Sequence, residues 1–150
     1  MPRMKLILAF MMLAVCSASV QAAAPEKTDS PKRLYERVMK EFQRKDYEAA
    51  LAGFRFFLAL HARSPLASSA QYWIGECEFR LGRYREAMQS FEAVLLHYPG
   101  SPKLAAATLK KALTYEKLGQ STESRILLER IMVDFPSTPE AEVAKKALKQ

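Results

Sequence analysis

Residues that usually carry chemistry are scarce in this chain. Its 150 residues include two Cys, two His, one Trp and five Gly. Cys16 falls in an apolar leader read below as removed, which leaves Cys77 alone and closes no internal disulfide. A reactive thiolate needs a positive surrounding and a base. Cys77 instead stands between Glu76 and Glu78, with apolar Ile74 and Leu81 on its helical stripe, so a small buried filler is expected. His61 and His97 are the only imidazoles, too few to build a metal cluster with one thiol. His61 is expected to pack an apolar ring face and keep a wet edge. No Gly-rich phosphate loop, paired-carboxylate motif or Ser/His/Asp arrangement is visible. No catalytic residue, metal ligand or cofactor is therefore assigned, and a non-enzyme is expected. The carboxylates along the chain are read as solvated faces. The net charge is +7, with basic residues interleaved among acidic ones, so no nucleic-acid arm and no nucleic-acid partner is expected.

The amino terminus has the organisation of a secretory leader. Arg3 and Lys5 precede the apolar run Leu6–Val15, and small and polar residues follow at Ser17–Ala24. The run is too short to span a bilayer, so no integral membrane span is expected in the mature chain. Val20-Gln21-Ala22 fits a small-x-small cleavage site, which gives a signal peptide at 1–22 and a periplasmic mature chain. Loss of Arg3 and Lys5 takes the formal charge from +7 to +5. Leu13-Ala14-Val15-Cys16 comes close to a lipoprotein motif, although Val15 is larger than the usual residue before the lipidated Cys; a lipid anchor on Cys16 is the alternative.

The rest of the chain repeats at an interval of 37 residues. Gly82 aligns with Gly119, Pro99 with Pro136, and Pro65 with Pro102 and Pro139. Tyr47 matches Tyr84, Ala50 matches Ala87, Phe54 matches Phe91 and Leu128, and Ala70 matches Ala107 and Ala144. Each unit reads as two helices. Ser or Thr before Pro supplies an N-cap followed by a residue suited to the first helical position. Helix A then ends at Gly82 or Gly119, which suits a left-handed cap, with Lys45 a weaker stop in the first unit. Helix B of the second unit places Tyr84, Ala87, Met88, Phe91, Val94, Leu95 and Tyr98 on one stripe.

A two-helix unit of this kind resembles the tetratricopeptide repeat (TPR), with Gly75, Ala87, Phe91 and Pro99 at its small, small, aromatic and Pro positions. The resemblance implies an all-α, right-handed solenoid of three 37-residue helix pairs plus a C-terminal capping helix. The boundaries are a linker at 23–31, a TPR domain at 32–150, repeats near 32–64, 65–101 and 102–138, and the cap at 139–149. Arg33, Arg37, Lys40 and Arg44 occupy the columns that hold Ala70, Ile74, Cys77 and Leu81 in the second unit, as a solvent-facing end unit requires. In TPR arrays helix A lines a concave groove. The corresponding columns here are Tyr35/Tyr72/Leu109, Met39/Glu76/Leu113 and Phe42/Phe79/Glu116, which suit docking of a peptide or protein. Grooves that clamp a C-terminal carboxylate match at Lys110 but not at Ala106 or Glu76, so that activity is not carried over.

The phrases "AQYWIGECEFRLGRYREAMQSFEAVLLHYPGSPKLAAATLKKA" and "DFPSTPEAEVAKKALK" are similar to the C-terminal TPR domain of the YbgF/CpoB proteins of the Tol-Pal system. That resemblance covers about 47–150 and implies a periplasmic adaptor that binds TolA and links envelope constriction to peptidoglycan synthesis in division. Those proteins trimerise through a coiled coil, for which 23–31 has no room, so the oligomeric state stays open. The alternatives are a BamD-like outer-membrane assembly lipoprotein and a generic exported TPR adaptor for secretion or pilus assembly.

Overall fold

The computed structural model describes residues 30–149. The expected signal peptide, Cys16 and most of the linker lie outside the described residues. Within them the chain forms seven α-helices and no strand. These are α1 (Pro31–Gln43), α2 (Tyr47–His61), α3 (Ala67–Arg80), α4 (Tyr84–His97), α5 (Leu104–Lys117), α6 (Ser121–Asp134) and α7 (Pro139–Ala147). Each helix packs on the next in sequence, and α7 also touches α5. Burial therefore passes from unit to unit along a solenoid, because one helix pair cannot cover its own apolar surface.

The punctuation of the helices follows from local chemistry, with one correction. Ser30 and Thr138 are true N-caps: their hydroxyls accept from Arg33 N at 3.4 Å and Ala141 N at 3.3 Å, and Pro31 and Pro139 open the helices. Ser64 and Ser101 do something else. Their hydroxyls accept from the backbone N–H only two residues on, at Leu66 and Lys103, at 3.2 and 3.0 Å. That tight turn holds Pro65 and Pro102 outside the helix and delays α3 and α5 to Ala67 and Leu104. At the other ends of helices α3 and α5, Gly82 and Gly119 take φ of 75°. Lys45 ends helix A of the first unit in the same left-handed region, at φ 65°, where a side chain costs about 1 kcal/mol.

Helix α3 lies between the first two units and is buried along most of its length. Ala70, Ile74 and Cys77 join Leu34, Val38, Ala50, Leu51, Phe54 and Phe57 in one core cluster, the interface expected from the repeat columns. The charged counterparts on α1, Arg33, Arg37, Lys40 and Arg44, are exposed. At the far end, Ala141 and Ala144 of α7 are buried against Leu109, Ala112, Leu128 and Ile131. Of the repeat-defining residues, Ala50, Phe54, Ala87, Phe91 and Leu128 are buried, whereas Pro99 and Pro136 sit in exposed turns.

Helix crossings depend on paired small and large residues. A Cβ on Gly75 would lie 2.6 Å from Phe91 Cε1 and 2.8 Å from Cδ1, so the fully buried Phe91 ring rests on bare backbone. The first unit reverses the arrangement. Val38 stands in the Gly75 column, and Gly53 on helix B yields to it, since a Cβ there would lie 2.6 Å from Val38 Cγ2. Gly75→Ala gains about 1 kcal/mol of helix propensity but forces overpacking of roughly 1–3 kcal/mol. Thermal unfolding is therefore expected to show net destabilisation for Gly75→Ala and a larger loss for Gly75→Leu. A rise in stability for Gly75→Ala would contradict the crossing.

Candidate protein-binding face

Helices α1, α3 and α5 meet across one face of the solenoid through long side chains. Tyr35 on α1 reaches towards Trp73 and Ser69 on α3, and its ring lies edge-on to Phe54 and Phe57 at 5.6 and 5.8 Å. Phe42 reaches Trp73 at 4.7 Å and Tyr47 at 5.3 Å. From the other side Lys103 places its ammonium 5.2 Å from the Tyr72 ring and 5.8 Å from that of Trp73. Lys110 lies 5.6 Å from the Phe79 ring. These cation–ring contacts are favourable because the ring faces are negative.

Lys110 also binds Glu76, with Nζ 2.8 Å from Oε1 and 3.0 Å from Oε2. Glu76 is only 3% exposed, and its Oε1 makes no well-angled hydrogen bond despite the close ammonium. Glu78, 2% exposed, accepts from Arg55 Nη2 at 2.8 Å and from Ser90 Oγ at 2.6 Å. The reading of these carboxylates as solvated is therefore corrected. Each is buried, and each is held by a cation from a neighbouring helix, as an ionised buried carboxylate requires. Further pairs join Glu48 to Arg83 and Glu92 to Lys111.

The chain belongs to the tetratricopeptide repeat family. The family model for this repeat matches residues 35–103 and 80–141. Comparison with the curated proteins gives no match. Solved structures share the fold at low identity. The TPR domain of Arabidopsis OM64 is 18% identical with a TM-score of 0.66, over 79% of this chain and 93% of that one. The Yersinia enterocolitica type III secretion chaperone SycD, in complex with a peptide of the translocator YopD, is 17% identical with a TM-score of 0.68, over 84% and 92%. The second TPR domain of human RPAP3, in complex with an HSP70 peptide, is 16% identical with a TM-score of 0.64, over 81% and 99%.

The nine TPR groove positions do not form a uniformly open surface. Tyr72, Glu76 and Leu109 are buried; Tyr35, Met39, Phe42, Phe79 and Leu113 are half-buried; Glu116 is exposed. Tyr72 is lost to the surface because its ring packs on Phe91 at 5.7 Å and Trp73 at 5.4 Å. Burial, then the charges of Glu76 and Glu140, push the Tyr72 phenol above its usual range. Burial also raises Tyr35, against the opposing influence of Trp73 and Ser69.

Sequence reasoning missed Trp73 and Lys103 on this face, and the Arg55–Glu78–Ser90 cluster behind it. A lone Arg inside "LAGFRFFLALH" was the available signal for the cluster. It also missed an outer face on helices B, where Phe56, Leu60, Leu96 and Val133 are exposed, Val133 by 77%. A cavity of about 390 Å³ opens there between Met88, Leu96, His97, Lys111 and Tyr115. His61 packs its ring near Phe57 at 5.4 Å and is half-buried, with its Nε2 buried and without a hydrogen-bond partner.

Among the described residues no group of three or more His, Cys, Asp or Glu is placed to hold a metal. Cys77 is fully buried, and burial, followed by the charges of Glu76 and Glu78, pushes its thiol from 9.0 up to about 12. The folded state thus retains the proton that the unfolded chain loses first. The associated stability is complete below about pH 9 and declines as pH rises towards 12. At pH 8 iodoacetamide is expected to label Cys77 far more slowly in the native chain than in urea, because the thiol is both out of reach and held protonated. Mass spectrometry of the Cys77 peptide checks this, and equal rates in the two states would contradict it.

Proposed function

We propose that this chain is a non-enzymatic periplasmic adaptor of the YbgF/CpoB type, whose helix-A face docks a protein partner, with TolA as the expected one. The observation that carries the reading is the half-buried row Met39, Phe42, Phe79 and Leu113 beside the rings of Tyr35 and Trp73. Side chains of this kind offer a large and adaptable apolar contact area to an incoming segment. The complexes of SycD with a YopD peptide and of RPAP3 with an HSP70 peptide are related folds holding peptides, which supports a peptide or protein ligand. The assignment to the Tol-Pal system, and with it a role in cell division and envelope integrity, is supported by the phrases of α3–α5 and α7 described above. Among the described residues no helix is long and apolar enough to cross a membrane.

Export of the full chain, followed by capture from envelope extract, tests the proposal. The mature protein is expected to begin near Ala23 by mass spectrometry and to retain TolA. Met39→Ala/Phe79→Ala, which spares the buried Tyr72, is expected to weaken retention at least tenfold, because half-buried anchors of this type carry about 1–2 kcal/mol each. A diacylglyceryl Cys16 would replace the periplasmic reading with the lipoprotein one. Capture of other envelope proteins without TolA would favour the generic adaptor, and undiminished capture by the variant would remove the helix-A face as the docking surface.

A further inference from the structure

The helix-A face carries an ammonium group that is already matched from within the chain. Both oxygens of Glu76 lie within 3.0 Å of Lys110 Nζ, and the Phe79 ring takes another side of the same cation. Glu76 is anchored in α3 and almost wholly buried, so its carboxylate stays beside the amine. The Lys110 side chain, 23% exposed, is the part of the pair that reaches the surface. An anion brought to Lys110 by a ligand would meet the Glu76 carboxylate at the same point, where like charges repel and water screens poorly. Next to the pair lie Phe79 and Leu113, which offer apolar contact.

We propose that Glu76 is a specificity-determining residue of this face: it occupies the anion position beside Lys110, so the face accepts an apolar protein segment that has no carboxylate there. The inference rests on the helix-A face being a docking surface. Stability alone is a poor account of the pair, since a buried ion pair is seldom more stabilising than an apolar pair of equal volume. Charge selection, by contrast, needs a fixed internal carboxylate, because discrimination between partners is commonly built from a repulsive element.

Calorimetry of the full chain with two probe peptides tests the proposal. One is an acetylated Leu-Phe-Leu-Leu-Asp peptide with a free C-terminus, and the other is its Asn amide counterpart. The wild-type chain is expected to bind the neutral peptide at least as well as the acidic one. Glu76→Gln is expected to shift the ratio towards the acidic peptide by about tenfold or more, and Glu76→Gln/Lys110→Met to cancel that shift. Circular dichroism verifies helix content, and Glu76→Ser serves as the charge-removing variant if Glu76→Gln loses helix. Binding with an unchanged ratio in the charge-removing variant overturns the role of Glu76. Failure of both peptides to bind any folded variant overturns the docking face itself.

Discussion

The contact of the Phe91 ring with the bare backbone of Gly75 sets the distance between α3 and α4, and much else follows from that distance. With α4 seated closely, Glu78 comes within hydrogen-bond reach of Ser90, and the Tyr72 ring is trapped against Phe91. On its other side α3 delivers Ala70, Ile74 and Cys77 into the core of the first unit. Helix α3 thus joins two units, and its polar residues are buried for the same reason as its apolar ones. A solenoid has few long-range ties, so a helix that packs on both sides is where its cooperativity concentrates.

The architecture was legible because it is periodic. The 37-residue spacing, the helix-B stripe and the left-handed stops at Gly82 and Gly119 each report a backbone requirement that a residue type states directly. The Gly75 position was legible through the TPR resemblance, which sets a small residue there and an aromatic one at Phe91. Its mirror image in the first unit was not, since Val38 breaks the column and Gly53 compensates on the other helix. Column reading assumes that equivalent positions hold equivalent residues, whereas packing asks only that the pair sum to the right volume.

The face was less legible than the fold, and for a different reason. Period alone does not tell whether Tyr72 or Glu76 points to water, because residues between neighbouring A helices share a column with residues at the rim. Burial there is decided by partners far along the chain: Lys110 for Glu76, Arg55 for Glu78, Phe91 for Tyr72. These pairings convert isolated acidic letters into internal structure. They leave Tyr35, Met39, Phe42, Phe79, Leu113 and Glu116 as the part of the helix-A columns that reaches solvent. The exposed apolar residues of the outer face, Phe56, Leu60, Leu96 and Val133, form the competing surface.

Amide hydrogen exchange of the chain, alone and saturated with its captured envelope partner, separates these two surfaces most directly. Docking on the helix-A face predicts added protection along α1, α3 and α5, centred on the turns of helix that bear Met39, Phe79 and Leu113. Added protection confined to α2, α4 and α6, around Phe56, Leu60 and Leu96, would contradict it.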